Sequence, residues 1–221
     1  MRPGRILPIL MAQNLARGCG PTQARNEYDR MQLESDMTNH FFGYGSLVNR
    51  ATHAYPNGER ASLTGWRRVW VHTDPLPRSF LSVIPDPGCT IHGLIAEVPG
   101  GDWSALDLRE IGYQRQFEQA LIAGAARPIQ VYAVPQADRR APAGGHPILL
   151  SYIDAVIQGF LVEYGAAGAA HFFETTAGWH APILDDRAAP QYPRAQNLNS
   201  TERAVVDAGL KAVGGRIERV V

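Results

Sequence analysis

The sequence predicts an α+β fold, because strand signals fill the stretch after Asn39 while helical periodicity dominates the last third instead of alternating with them. Two further observations agree. A chain of 221 residues, 45% hydrophobic and 19% charged, has the profile of a globular domain that buries well over half of its unfolded surface without disulfides or a structural metal. At Asn39 the pattern also changes from punctuated and aperiodic to a regular series of elements, which marks a boundary. Residues 1–36 are therefore expected to be an extension, either flexible or lying before a true start at Met31 or Met37. Residues 37–221 are expected to form a single catalytic domain with a helical and Pro-rich C-terminal arm.

The elements follow in order. His40 to Phe42 form a short apolar strand leading into Gly43-Tyr44-Gly45-Ser46-Leu47. A loop rich in Asn, Pro and Gly runs through residue 60. Ala61 to His72 and Ser79 to Ile84 read as strands separated by the turn residues Asp74, Pro75 and Pro77. Thr90 to Val98 alternates and stops at Pro99-Gly100-Gly101. Asp102 is a suitable N-cap for a helix through about Gly112, and Pro128 to Val134 make another strand. From Ile148 to Tyr164, apolar residues at 149, 152, 153, 156, 157, 160 and 161 have helical spacing, with Gly165 as the expected terminator. Gly168 to Thr176 fit a further short helix. The last helix starts near Asn199, with Glu202 completing a capping box.

Composition removes several classes of function. Basic and acidic residues balance at 21 each, so the field that draws nucleic acids or anionic membranes is missing. Lys211 is the one lysine, and no Gly-Lys-Ser/Thr occurs, which excludes a P-loop and leaves a Schiff-base enzyme only a terminal polar helix to work from. Cys19 and Cys89 form no CxxC, so a zinc ribbon, a dithiol couple and a disulfide framework lack their parts. No apolar run reaches the roughly 20 residues that span a bilayer. Pro8 breaks the apolar stretch Ile6 to Ala12, which also lacks a small-x-small cleavage site and so makes a poor signal peptide. The expectation is a cytoplasmic protein that acts on a small molecule and uses no metal or cofactor. His171 with Glu174 is a partial ligand pair, better read as a core or solvated pair.

Two segments carry chemistry. In Gly43-Tyr44-Gly45-Ser46-Leu47, two glycines separated by one residue let backbone N–H groups converge into a concave receptor for an anion or oxyanion. Val48 stands where a dinucleotide fingerprint needs glycine, and the Gly-x-Ser-x-Gly frame of a serine hydrolase is absent. In Leu106-Asp107-Leu108-Arg109-Glu110-Ile111-Gly112-Tyr113, Leu106 and Glu110 lie four apart on one helical face. If Leu106 packs inward, Glu110 is drawn toward the interior, where desolvation raises a carboxyl pKa and suits it to moving protons. Asp107 and Arg109 are read as a solvated face. The Pro190-Gln191-Tyr192-Pro193-Arg194 arm admits two readings: an extended segment packed by Trp179 and Tyr192, or a wall that supplies Arg187 or Arg194 to a substrate carboxylate.

Taken in this order, Tyr-Gly-Ser-Leu, then Leu-Asp-x-Arg-Glu-x-Gly-Tyr, then Tyr152 with Gly159 seven residues later, the chain resembles the γ-glutamylcyclotransferase family over about residues 39 to 165. That resemblance implies a small mixed β-sheet closing into a barrel flanked by helices, with the substrate in a cavity at one end. It also implies that the α-amine of a γ-glutamyl group attacks its own γ-carbonyl, forming 5-oxoproline and releasing an amine, amino acid or peptide, glutathione being one such substrate. By the same resemblance Glu110 is the catalytic proton shuttle. Tyr44, Gly45, Ser46 and Leu47 frame the glutamyl head, and Tyr113 and Tyr152 are wall or hydrogen-bonding residues. Leu47 stands where many relatives place Asn, a departure that bears on substrate choice. The alternative is a noncatalytic module using the same cavity to bind a metabolite or a protein.

Overall fold

The structure, a computed structural model, describes residues 38–74, 76–142 and 145–219, and of Arg219 the backbone only. The expected extension, 1–36, lies outside the described residues.

Five strands close into a ring: β1 (His40–Gly43), β2 (Glu59–His72), β3 (Ser79–Glu97), β4 (Gln114–Ile122) and β5 (Ala125–Ala133). Their order is β3-β1-β5-β4-β2, and the β2–β3 pairing completes the circuit. The β1–β5 contact is parallel and the others antiparallel, so the sheet is mixed. Closure removes exposed strand edges. The expected strands at 79–84 and 90–98 are one 19-residue strand, whose first half pairs with the end of β2 and whose second half pairs with both β2 and β1.

A bulge in β2 decides what faces inward. Ala61 and Leu63 are buried on one side of it, Trp66, Arg68 and Trp70 on the other, and the register shifts between Thr64 and Trp66. Gly65, with φ +86°, takes up the extra residue. Side chains alternate along a strand, so this one-residue insertion switches the parity of everything after it and turns Arg68 into the core. Strand β4 has no counterpart among the sequence expectations. Its residues, Gln-Arg-Gln-Phe-Glu-Gln-Ala-Leu-Ile, bury only Ala120 fully, and the β4–β5 turn uses Ala123 and Gly124 at positive φ without the Asn-Gly signature.

Among the described residues, three α-helices flank the barrel: α1 (Ser104–Arg109), α2 (Leu150–Glu174) and α3 (Ser200–Ala212). Helix α1 is shorter than the expected 102–112. The Asp102 carboxylate accepts the Ser104 N–H at 3.0 Å at its start, but the backbone leaves helical geometry at Glu110 (φ −98°, ψ 34°). The segments expected as two helices, 148–164 and 168–176, form one element interrupted at Gly165 (φ 67°, ψ −166°), while Ile148 and Leu149 belong to a short strand, β6. The last helix has its capping box: Glu202 N–H donates to Asn199 Oδ1 at 2.9 Å and Asn199 N–H to Glu202 Oε2 at 2.8 Å. Strand β7 (Thr176–Ala177) adds to β2, and β8 (Pro182–Asp185) and β9 (Arg216–Arg219) join β6 in a parallel sheet. The first half of α2 buries Ile153, Val156, Ile157 and Phe160 in one core with barrel residues such as Leu63, Trp70 and Ile91. Among the described residues, no helix is long and apolar enough to cross a membrane.

Candidate active site

Strand β1 delivers the chain into a tight turn, with a short 3-10 helix over Ser46–Val48. The turn is fixed from several sides. The Tyr44 hydroxyl donates to the Tyr132 carbonyl at 2.6 Å, and Arg68 Nε donates to the Tyr44 carbonyl at 2.7 Å. Arg68 is fully buried, donates also to Thr175 Oγ1 at 2.7 Å and to the His92 carbonyl, and lies 5.0 Å from the ring centres of both Phe160 and Phe172. Burial pulls its pKa down to about 9, so the guanidinium stays charged at neutral pH and its energy is spent holding backbone oxygens in place.

Helix α2 meets this turn closely. A Cβ on Gly159 would lie 2.6 Å from the Asn49 nitrogen, and Asn49 Nδ2 donates to the Ala155 carbonyl at 2.8 Å and to Gln158 Oε1 at 3.0 Å. The approach brings Tyr152, two turns earlier on α2, against Gly45. There a Cβ would stand 2.6 Å from the Tyr152 hydroxyl, so a side chain at 45 would displace it. The Ser46 backbone N–H and hydroxyl both act on that Tyr152 hydroxyl.

Glu110 comes to the same place from the other direction. Leu106 is fully buried, and the Glu110 N–H donates to its carbonyl at 2.9 Å, so the inward face of α1 carries the Glu110 side chain with it to 18% exposure. Burial pushes its carboxyl pKa up, while the charges of Arg109 and Arg194 and a hydrogen bond from Arg109 oppose the rise. Arg109 corrects the expectation of a solvated face. It is 8% exposed, with Nε 3.1 Å from Glu110 Oε1 and its terminal nitrogens donating to the Thr52 carbonyl at 3.0 Å and to Ser46 Oγ and Thr52 Oγ1 at 3.3 Å each. It links the acid to the glycine turn. Asp107 is exposed as expected, accepting from Arg115 Nε at 2.9 Å and from the Tyr132 hydroxyl at 2.6 Å.

One small, half-open pocket is lined by Tyr44, Gly45, Ser46, Leu47, Glu110, Tyr113 and Tyr152. All seven residues singled out in the sequence thus meet there. The sequence reading passed over Phe42, Leu81 and Tyr132 on the same wall, and Arg109 behind it. Arg109 had a signal, its place beside Glu110, but the others had none beyond ordinary strand composition. The Tyr113 hydroxyl donates to the Leu81 carbonyl at 2.9 Å, and burial raises the pKa of Tyr44, Tyr113 and Tyr152, so all three are neutral phenols at physiological pH. The pocket therefore joins one desolvated acid to a cradle of main-chain groups and neutral hydroxyls.

Arg187 does not reach this pocket. It makes a two-pronged pair with Asp154 at 2.7 and 2.8 Å and a further contact to Asp207 at 2.9 Å. Tyr192 packs edge-on against Tyr152, their ring centres 5.0 Å apart, and Trp179 is buried against Trp70 and Phe173. His171 stacks on His92 at 4.0 Å, with Nε2 3.1 Å from the Thr90 carbonyl, and among the described residues no three His, Cys, Asp or Glu side chains gather as a metal site.

Comparison with known proteins gives the fold a family. A family model described as "Gamma-glutamyl cyclotransferase, AIG2-like" matches residues 41–151, half of the chain. A solved structure named gamma-glutamyl cyclotransferase is 12% identical with a TM-score of 0.50, over 76% of this chain and 98% of that one. YkqA from Bacillus subtilis is 19% identical with a TM-score of 0.51, over 67% of this chain and 59% of that one. At these identities the two structures show a shared fold. No curated protein matches the sequence. The matched segment runs from the first barrel strand to the start of α2 and contains the glycine turn and Glu110, and on that match the chain belongs to the gamma-glutamyl cyclotransferase, AIG2-like family.

Proposed function

We propose that the protein cyclises a γ-glutamyl group to 5-oxoproline and releases the amine, amino acid or peptide attached to it. The observation that carries this reading is the convergence of a desolvated Glu110 and the Tyr44–Leu47 turn on one small pocket. The reaction is intramolecular: the α-nitrogen bonds to the γ-carbonyl carbon, and the bond from that carbon to the leaving nitrogen breaks. An enzyme for such a step has to hold a folded conformer and relocate protons, and alignment alone supplies much of the rate.

Glu110 performs the relocation. An α-ammonium beside a free carboxylate is a far weaker acid than an ordinary carboxyl group, and burial narrows that gap by raising Glu110. The carboxylate takes a proton from the ammonium, freeing the lone pair for attack, and the resulting acid gives it to the departing amine; the regenerated carboxylate then takes the second proton, shed as the attacking nitrogen becomes the lactam N–H, and passes it to the released amine. As the tetrahedral centre forms, negative charge grows on the former carbonyl oxygen, and main-chain N–H groups of the Gly45–Leu47 turn are the preorganised donors for it. Tyr113 and Tyr152 remain protonated and close the wall around the glutamyl chain.

The test is to incubate the purified protein with γ-glutamyl amino acids, peptides and amines and to measure 5-oxoproline by mass spectrometry. Glu110→Gln should lower kcat/KM by about 10²- to 10⁴-fold, the range for loss of a general acid–base group. A folded Glu110→Gln protein that works at the parental rate would reject the proton-shuttle role. Product from none of the substrates would favour a binding module on this fold.

A further inference from the structure

The C-terminal arm carries one more charge near this pocket. Its backbone is tied to the start of α2: the buried carboxylate of Asp186 accepts the Ser151 N–H at 2.8 Å, the Ser151 hydroxyl at 2.5 Å and the Gln191 N–H at 2.8 Å. The Tyr192 N–H donates to Ser151 Oγ at 3.3 Å, and the Tyr192 ring rests on Tyr152, a pocket residue. Arg194 follows two residues after Tyr192, and its carbonyl accepts from Gln196 Nε2 at 3.0 Å. Arg194 therefore sits on a fixed segment beside the pocket.

The cations near the pocket differ in what they hold. Arg68 binds backbone and hydroxyl oxygens, Arg109 is saturated by Thr52, Ser46 and Glu110, Arg139 Nε donates to the Val134 carbonyl at 2.6 Å, and Arg187 clamps Asp154. Arg194 is half-buried, and among the described residues its guanidinium makes no hydrogen bond or ion pair. Its charge acts on both Glu110 and Tyr55, which places it within electrostatic reach of the acid, yet it is not part of the pocket lining. A guanidinium is a two-pronged donor matched to carboxylate, and one without a partner among the described residues, on a segment tied down at Tyr192, is available to receive one.

We propose that Arg194 binds the carboxylate of the leaving group, so that the preferred substrates are γ-glutamyl amino acids or peptides over γ-glutamyl amines. This rests on the cyclotransferase reading of the pocket. The glutamyl head occupies the small pocket against Glu110, and whatever is attached to its γ-carbonyl must extend outward past the arm. A leaving group that ends in a carboxylate meets Arg194 there, while a simple amine offers it nothing.

The experiment compares γ-glutamylalanine with γ-glutamylethylamide on the full-length protein, its Arg194→Gln variant and its Arg194→Lys variant. Since Arg194 makes no side-chain bond within the described residues, both variants should keep the parental melting temperature. The parent should prefer γ-glutamylalanine. Arg194→Gln should lower kcat/KM for it by about 10- to 100-fold, the worth of a charge-assisted hydrogen-bonded pair, mainly through KM. Because the Arg194 charge also holds the Glu110 pKa down, the comparison is made on the pH plateau of each protein; there Arg194→Gln should change γ-glutamylethylamide less than twofold, and Arg194→Lys should restore part of the loss for γ-glutamylalanine. Equal effects on the two substrates, or none on either, would overturn the assignment while leaving the cyclotransferase reading intact. Turnover of neither substrate by the parent would remove that reading and this inference with it.

Discussion

Gly159→Ala sets two effects against each other, and their sizes decide the outcome. In an isolated helix the change is favourable, since Ala exceeds Gly by about 1 kcal/mol in an interior position. Here the added Cβ would lie 2.6 Å from the Asn49 nitrogen and Cβ and 2.7 Å from its Cα, against an ordinary contact that begins at 3.4 Å. A displacement of 3.4 − 2.6 = 0.8 Å is needed, and atoms of the Asn49 backbone are in the way, so rotating a side chain cannot relieve it. Overpacking of this kind costs about 1–3 kcal/mol. Separating α2 from the turn also loosens the Asn49 bonds to Ala155 and Gln158, each worth about 1 kcal/mol. The balance is a net loss of roughly 2 kcal/mol, or about 4–8 °C in melting temperature for a domain of this size. Thermal unfolding followed by circular dichroism measures it directly. A melting temperature equal to or above the parental value, which helix propensity alone predicts, would show that α2 does not rest on the Asn49 backbone.

Removing the Arg109 charge, as in Arg109→Gln, should raise the Glu110 pKa further, because Arg109 is the largest influence opposing the effect of burial. Activity that needs the ionised carboxylate rises with pH through that pKa, so the acid limb of a kcat/KM profile should move to higher pH; a shift to lower pH would contradict this electrostatic arrangement. Glu110 also bears on stability. Its folded pKa lies above the unfolded one, so its contribution is fully present below the unfolded pKa and is lost as pH rises through the folded value. The Glu110→Gln protein should therefore be at least as stable as the parent at neutral pH, with a reversible melt as the check. Arg187→Ala strands the Asp154 carboxylate, which is 6% exposed. A loss of about 3 kcal/mol, or roughly 6–12 °C, is expected, with no change in substrate selectivity, and a melt within a degree of the parental value would show that this pair does not carry the load assigned to it.

How much of the site was legible depends on the range of the interaction involved. The Leu106–Glu110 spacing was a local fact and foretold which way the acid would turn, because the side chains share a face within one helical turn. The Asn199 cap and the break at Gly165 were equally local. Strand β4 was not legible. Its polar residues take their strand form from the β5 partner, to which they pair from Gln114↔Ala133 to Ile122↔Ala125, and their own pattern gives no alternation. Arg109 was misplaced because its partners, Ser46 and Thr52, lie 63 and 57 residues away.

By itself the sequence determined the order of most elements, the neutral charge balance, the glycine-bearing turn and the inward-facing acid, all set by composition or by neighbours within a few positions. Only the tertiary structure decided that turn and acid share one pocket, that the Gly65 bulge sends Arg68 into the core to hold the turn, and that Arg187 is bound elsewhere while Arg194 is unpaired among the described residues. Barrel closure and helix docking bring together groups more than a hundred residues apart, such as Asn49 and Gln158, and burial then fixes the charge of the acid. A carboxylate's pKa depends on the surfaces that remove its water, and these come from distant parts of the chain.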